Sequence, residues 1–452
     1  MSKPVGKLCG MRASKKPVTA SSRLYCVLST ISVAVAVTAC GLIVHPEHQS
    51  PPALSGPAPN PLPSERHFDG KPFSLRGDAD FSPGDLDADQ RVWFDRTWTA
   101  IANSSSNANS WASSGNLYDY GRQLNLYVHQ LLTGLRATGD LRFLDEAERL
   151  SRLMEAELTD EWLDGTKDGY RGWLYLRNST THYGKDLHVM DEMLTHSGVA
   201  AIMYALYINR DLPSPSGIDY GVRADFWYDY LKNDFEAKWR DRRNTPTGFP
   251  FLERDLTHPT AQWIRYHHYM GLRSGDDGYT KEAQRLAAII DRVLVPTSTP
   301  KGDAFVWCHR PSNDCLYAQP TNYARYTINA IVDMTWEGLF TEHDLAKLAT
   351  TVSHFVIDNG IDGLAPDVHG GETWNGYEPY TTNRQPITRL APLAVLISYN
   401  PSHELERTVL DAYRAIESNT DKPRNIAIPT AMLLHLSPAG KDLEATLANA
   451  AN

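Results

Sequence analysis

Asn116–Thr138 reads NLYDYGRQLNLYVHQLLTGLRAT. Leu117, Leu124, Tyr127, Leu131 and Leu135 recur at spacings that place them on one face of an α-helix, without the period-two alternation of a strand. Gly139-Asp140 then interrupts the pattern. A second apolar periodicity, Leu141 to Leu158, predicts an antiparallel partner helix across that short link. The same reading extends along the chain. Helices are predicted over Asp85–Ala102, Leu187–Asn209, Asp219–Trp239, Pro259–Leu272, Lys281–Leu294, Asn322–Leu339, Glu342–Asp358, Thr388–Ser398, His403–Ser418 and Ile426–Leu436. Longer polar loops separate them at Trp162–Tyr183, Asn244–Thr257, Pro296–Pro320 and Ile361–Arg384. No repeat with the period of a standard helical solenoid is present. Helical hairpins with long loops on alternate ends predict an all-α chain, an α/α toroid whose loops wall a central cleft; an open stack of hairpins is the alternative.

The chain has 452 residues, 42% hydrophobic and 22% charged, enough for one sizeable core. Its formal net charge of -10, with no basic stripe, argues against a nucleic-acid partner. An anionic substrate stays possible, because a few local arginines make a positive cleft in an acidic protein. With 11 Trp and 22 Tyr, the chain is well supplied with flat rings that carry a polar edge, as a glycan groove requires.

Lys3, Lys7, Arg12, Lys15, Lys16 and Arg23 precede an apolar run from Leu24 to Leu42 that is studded with Ser and Thr. Val37-Thr38-Ala39-Cys40-Gly41 resembles a bacterial lipobox, which makes residues 1–39 a signal peptide and Cys40 the lipidated first residue; a plain membrane anchor is the alternative. Gly41 is consistent with an outer-membrane lipoprotein facing the periplasm or the cell surface. Residues 40–80 are rich in Pro and Ser and read as a tether, leaving 81–452 as a single domain. Of the five cysteines, only Cys308 and Cys315 remain after Cys9, Cys26 and Cys40 are set aside. In an oxidising compartment they are expected to pair, stabilising the fold by on the order of 2–3 kcal/mol.

No nucleotide-binding glycine loop, HExxH or G-x-S-x-G motif occurs, and no cofactor is expected. Four polar clusters remain. In the first, Arg265-Tyr266-His267-His268-Tyr269, His267 and His268 point about 100° apart and cannot face one cleft together. The second runs from Cys308-His309-Arg310 through Tyr317 to Asn322-Tyr323-Ala324-Arg325, with Asn322 and Tyr323 in the first turn of a helix, where the partial positive charge favours an anion. In the third, His188, Glu192 and His196 stack along one helix face as a substrate stripe, a structural network or, less favoured because two turns is a long span for one ion, a metal site. The fourth is a Gly-flanked aromatic flap, Trp374 to Tyr380 with Tyr377, followed by Arg384 as a carboxylate clamp. Tyr120 and Arg122 add an aromatic and cationic patch at a helix start.

Arg, Asn, His and Tyr gathered in one cleft suit β-elimination on a uronic-acid polymer. The carboxylate must be neutralised so that enolate charge at C5 is stabilised, a base must take the C5 proton, and a phenol or imidazole must protonate the departing O4. Glycoside hydrolysis instead calls for two carboxylates at a defined separation, and the aromatic loops carry no distinctive pair.

Arg265-Tyr266-His267-His268-Tyr269-Met270 resembles, in degenerate form, the Asn-Asn-His-x-Tyr-Trp motif of the helical-toroid alginate lyases, which is followed further on by an Arg shortly before a Tyr that opens a helix. Arg265 and Tyr266 stand where that family has its paired Asn. The resemblance implies His267 as base or neutraliser, Arg310 as the clamp and Tyr323 as the proton carrier, with Tyr269 at the motif's Tyr position. His268, Tyr317 and Arg325 compete for the same three roles. It implies a divergent polysaccharide lyase acting on alginate or glucuronan; apart from the resemblance, a monomer without metal is expected. A toroidal hydrolase of unsaturated oligosaccharides using Asp191 or Glu192, and a non-catalytic glycan-binding lipoprotein, are the alternatives.

Overall fold

A computed structural model describes residues 73–163, 166–175, 189–242, 255–312, 316–357, 362–374, 376, 378–400, 402–417 and 424–451. All of these belong to one unit, Glu65–Asn452. The chain is mostly helical, 68% helix with few short strands, as the apolar periodicity predicts.

In order, the elements are α1 (Ala88–Ala112), α2 (Leu117–Asp119), α3 (Asn125–Thr138), α4 (Arg142–Ala156), β1 (Thr159–Leu163), β2 (Thr166–Gly172), α5 (Val189–Ile208), α6 (Tyr220–Asp229) and α7 (Ala237–Arg242). They continue as α8 (Thr257–Ser274), α9 (Asp277–Val293), β3 (Leu294–Thr299), β4 (Gly302–Trp307), α10 (Thr321–Trp336), α11 (Glu342–Thr351), α12 (Glu404–Glu417), α13 (Ala427–Leu436) and α14 (Pro438–Ala451). Among the described residues three π-helical turns, Tyr120–Leu124, Tyr230–Glu236 and Val352–Val356, interrupt or end helices, and Ile387–Tyr399 is a 3-10 helix that accommodates Pro392.

Local chemistry sets the helix ends. Asp87 and Gln90 form a reciprocal capping box at the start of α1. Gly139, at φ 76°, closes α3 by donating its N–H to Leu135 O at 2.7 Å. Among the described residues two antiparallel hairpins form, β1 with β2 and β3 with β4; β2 and β4 fall inside stretches expected to be loops, β1 begins just ahead of one, and β3 begins at the last residue of the predicted helix Lys281–Leu294. Strand periodicity is hard to read in segments this short. The α14 helix was likewise absent from the sequence reading.

Packing follows the hairpin logic. α3 contacts α5, α5 contacts α8, α8 contacts α10, α10 contacts the 3-10 helix Ile387–Tyr399, that helix contacts α13, and α13 returns to α3. α6, α9 and α12 each pack on one member of this cycle, α5, α8 and the 3-10 helix respectively, while α4 packs on both α3 and α5 and α11 on both the 3-10 helix and α10. Phe73 and Leu75, which composition assigns to the tether, are fully buried, and Leu75 O accepts from Asn209 Nδ2 at 2.8 Å. The globule therefore begins before residue 81.

The faces that α3, α8 and α10 turn toward one another are polar. Arg265 pairs with Asp333 at 2.9 Å, His129 lies 3.4 Å from the same carboxylate, and Arg136 pairs with Glu337 at 3.0 Å. Gln262 accepts from Asn125 and donates to Tyr326 O. Burial by itself would raise the Asp333 pKa, but His129 and Arg265 prevail and hold it at about 2.

Candidate functional site

The first turns of α5, α8 and α10 and the π turn Tyr120–Leu124 meet at one end of this polar column. Arg122, on the π turn, donates from Nε to Asp191 Oδ1 at 2.6 Å and from Nη2 to the Met190 sulfur. Its carbonyl accepts from the Tyr326 hydroxyl at 3.1 Å. With the guanidinium fixed in this way, its carbon lies 5.6 Å from the Tyr323 ring centre.

Tyr323 sits half-buried in the first turn of α10. The His258 ring stacks on it at 4.5 Å, and His309 lies at 5.3 Å. The two imidazoles reach it from different segments. His258 is the second residue of α8, and Thr257 ties that helix start to the β4 exit by donating to Cys308 O at 2.6 Å. His309 follows β4, its carbonyl accepting from Thr257 N and its N–H donating to Tyr317 O. The start of α10 is pinned by Thr321, whose N–H and hydroxyl donate to Pro366 O and Ala365 O. Cys308 is disulfide-bonded; Cys315, its expected partner, lies outside the described residues.

Arg325 is one turn from Asn322. It is 7% exposed, and among the described residues it donates to Asn322 O and the Tyr326 hydroxyl. Among the described residues no carboxylate pairs with it. Burial pushes its pKa down, and the neighbouring Arg389 and Arg122 push it the same way against Tyr326. Asn322 Oδ1 is buried with no hydrogen-bond partner among the described residues. An uncompensated buried guanidinium beside other arginines is costly unless an anion completes it.

The structure thus brings Arg122, Tyr317, Asn322, Tyr323 and Arg325 together, and sets Arg310 exposed beside His309. It does not bring the Arg265–Tyr269 stretch to them. His267 packs edge-on against Trp263 and Tyr266 and near Tyr279 of α9, with both ring nitrogens unpartnered among the described residues. Nine residues separate it from His258 on the same helix, about 13 Å of rise. Burial lowers its pKa to about 4, opposed by Glu282 and assisted by Arg285. Arg265 is the Asp333 partner in the column. Tyr269 is fully buried and accepts from Arg136, and His268 lies 3.8 Å from Glu337 at the far end of the column.

The third cluster is interior. Glu192 pairs with the fully buried Lys238 at 3.0 Å, and His196 lies 3.2 Å from Glu192, bonds the Tyr230 hydroxyl and stacks on Phe235. Burial first, then Lys238, keeps the His196 pKa well below its ordinary value. Tyr120 donates to Ala112 O inside the core. Trp374 lies half-buried near His369, and Arg384 donates to Gly363 O at 2.7 Å. His188, Tyr377 and Cys40 lie outside the described residues.

His258 and Arg389 lie outside the four polar clusters of the sequence, whereas His309 and Tyr380 lie inside them without an assigned role. For His258 a signal existed. Thr257 and Pro259 mark a helix start, and the residue between them must lie at the helix mouth. No protein-family model matches this chain, and no curated protein matches it.

Proposed function

We propose that this chain is a polysaccharide lyase that cleaves a uronic-acid polymer of the alginate or glucuronan type by β-elimination, on an α/α toroid. The observation that carries this reading is Arg325, a buried cation without an acidic partner among the described residues, two positions along α10 from a phenol flanked by two imidazoles and a guanidinium. The uronate carboxylate completes the charge at Arg325, with Asn322 as a further contact, and so stabilises the enolate formed at C5. Tyr323 is the proton carrier. The Tyr323 phenolic oxygen accepts the proton as the C5–H bond breaks, the electrons of that bond form the C4=C5 double bond while the C4–O4 bond breaks, and the same phenolic oxygen then delivers the proton to the departing O4. His258 and His309 flank the phenol through which that proton moves. This assigns to His258 and His309 the place that the motif resemblance gave to His267.

The cyclic order of helix contacts supports a toroid. The basic lead and the apolar run ending at Cys40 support an outer-membrane lipoprotein. The hydrolase alternative is disfavoured, because Asp191 and Glu192 are both fully buried against cations.

Ultraviolet absorbance of unsaturated uronide separates the readings. A lyase generates it from intact polymer, a hydrolase of unsaturated products consumes it, and a binder leaves it unchanged.

A further inference from the structure

We infer that Tyr380 is a sugar-stacking platform that holds the polymer residue next to the one at Arg325, so that the protein acts on chains and not on the shortest cleavable oligomer. The inference rests on the proposed lyase reading. Tyr380 is 60% exposed, unusually open for a large ring in a loop. One of its faces is occupied. It stacks on Tyr317 at 4.9 Å with planes 25° apart, and on His309 at 5.8 Å with planes 27° apart. His309 in turn lies 5.3 Å from Tyr323, so two ring spacings separate the platform from the proton carrier.

The loop beneath is fixed. Leu364 and Gln385 exchange both backbone hydrogen bonds, and Arg384 donates to Gly363 O. A ring braced from behind and open in front presents a π face to which the weakly positive C–H face of a pyranose is complementary. Arg310, exposed on the same rim beside His309, suits a chain that carries a carboxylate on every residue.

The test compares wild type, Tyr380→Ala and Tyr380→Phe by ultraviolet initial rates on high-molecular-mass alginate and glucuronan and on their size-fractionated oligomers. Tyr380→Ala should raise KM on the cleaved polymer about 3- to 10-fold, the loss of one aromatic contact. It should leave kcat within about twofold and leave the shortest cleaved oligomer unaffected, while Tyr380→Phe behaves as wild type. An unchanged polymer KM in Tyr380→Ala, or an equal rise on the shortest oligomer, overturns the platform. If wild type produces no unsaturated uronide from either polymer, the lyase reading fails, and native-gel retardation in the same two polymers then decides. Retardation of wild type that is lost in Tyr380→Ala supports the platform, and equal mobility overturns it.

Discussion

Arg325 brings a positive charge into a space where Arg389 and Arg122 add to it and no described carboxylate opposes it. If that charge awaits a uronate, Arg325→Met should lower kcat/KM by about 10²–10³-fold while easing the cost of a buried cation, so the variant should melt no lower than wild type. A drop in activity together with a lower melting temperature would mark Arg325 as structural instead. Tyr323→Phe keeps the ring stack on His258 and removes only the hydroxyl, so turnover should fall by about 10²–10⁴-fold with folding intact. His267 acts on stability. Its folded-state pKa of about 4 lies below the ordinary 6.5, so the stability it contributes is complete above 6.5 and is lost as pH falls from there toward 4. Melts of His267→Leu should therefore show a smaller decline than wild type across that window, with turnover on polymer unchanged above it. Identical declines would show that the imidazole is not the group being charged.

At the scale of elements, α8 shows what a sequence can and cannot disclose. Its helical character was legible, and Gly275 at φ 69° closes it just beyond the predicted end. The division of its residues between two faces was legible too, but not the neighbour of each face. Trp263 turns toward the π turn Tyr230–Glu236 and His267 toward α9, whereas Arg265 turns toward α10. Hydrophobic spacing ranks faces by polarity, and here the inner face is the polar one. The π turns add a second obstacle. An extra residue in a turn rotates everything beyond it by about 100°, and Arg122 reaches Tyr323 from such a turn. Where α3 crosses α4, Gly134 permits the approach, since an added Cβ would stand 2.7 Å from the Phe143 ring. Gly134→Ala should cost about 1–3 kcal/mol in chemical denaturation, and a paired Phe143→Leu should recover part of it. Failure of the second substitution to help would place the strain elsewhere.

At the scale of the molecule, α3, α8 and α10 are joined by buried ion pairs where an apolar core would be expected. Asp333→Asn leaves Arg265 without its partner and should destabilise by about 3–5 kcal/mol, whereas replacing both with leucine should be far milder. Equal losses in the two variants would mean that the column does not act as paired charge. Most of the helices, α14 excepted, and most hairpin links could be read from the chain because local periodicity specifies them. The column could not, since Arg265, Asp333 and His129 are distant in sequence and each resembles a surface residue taken singly. The same holds for the candidate site. Tyr323 and Arg325 were visible as neighbours on one helix start, while His258 and His309 join them only through long-range packing. The most direct measurement of the whole proposal is ultraviolet absorbance during incubation of wild type and Arg325→Met with alginate and with glucuronan. A steady rise with one polymer for wild type, and almost none for the folded variant, is the expected result. A flat trace from wild type on both polymers, or equal rates from the two proteins, would contradict it.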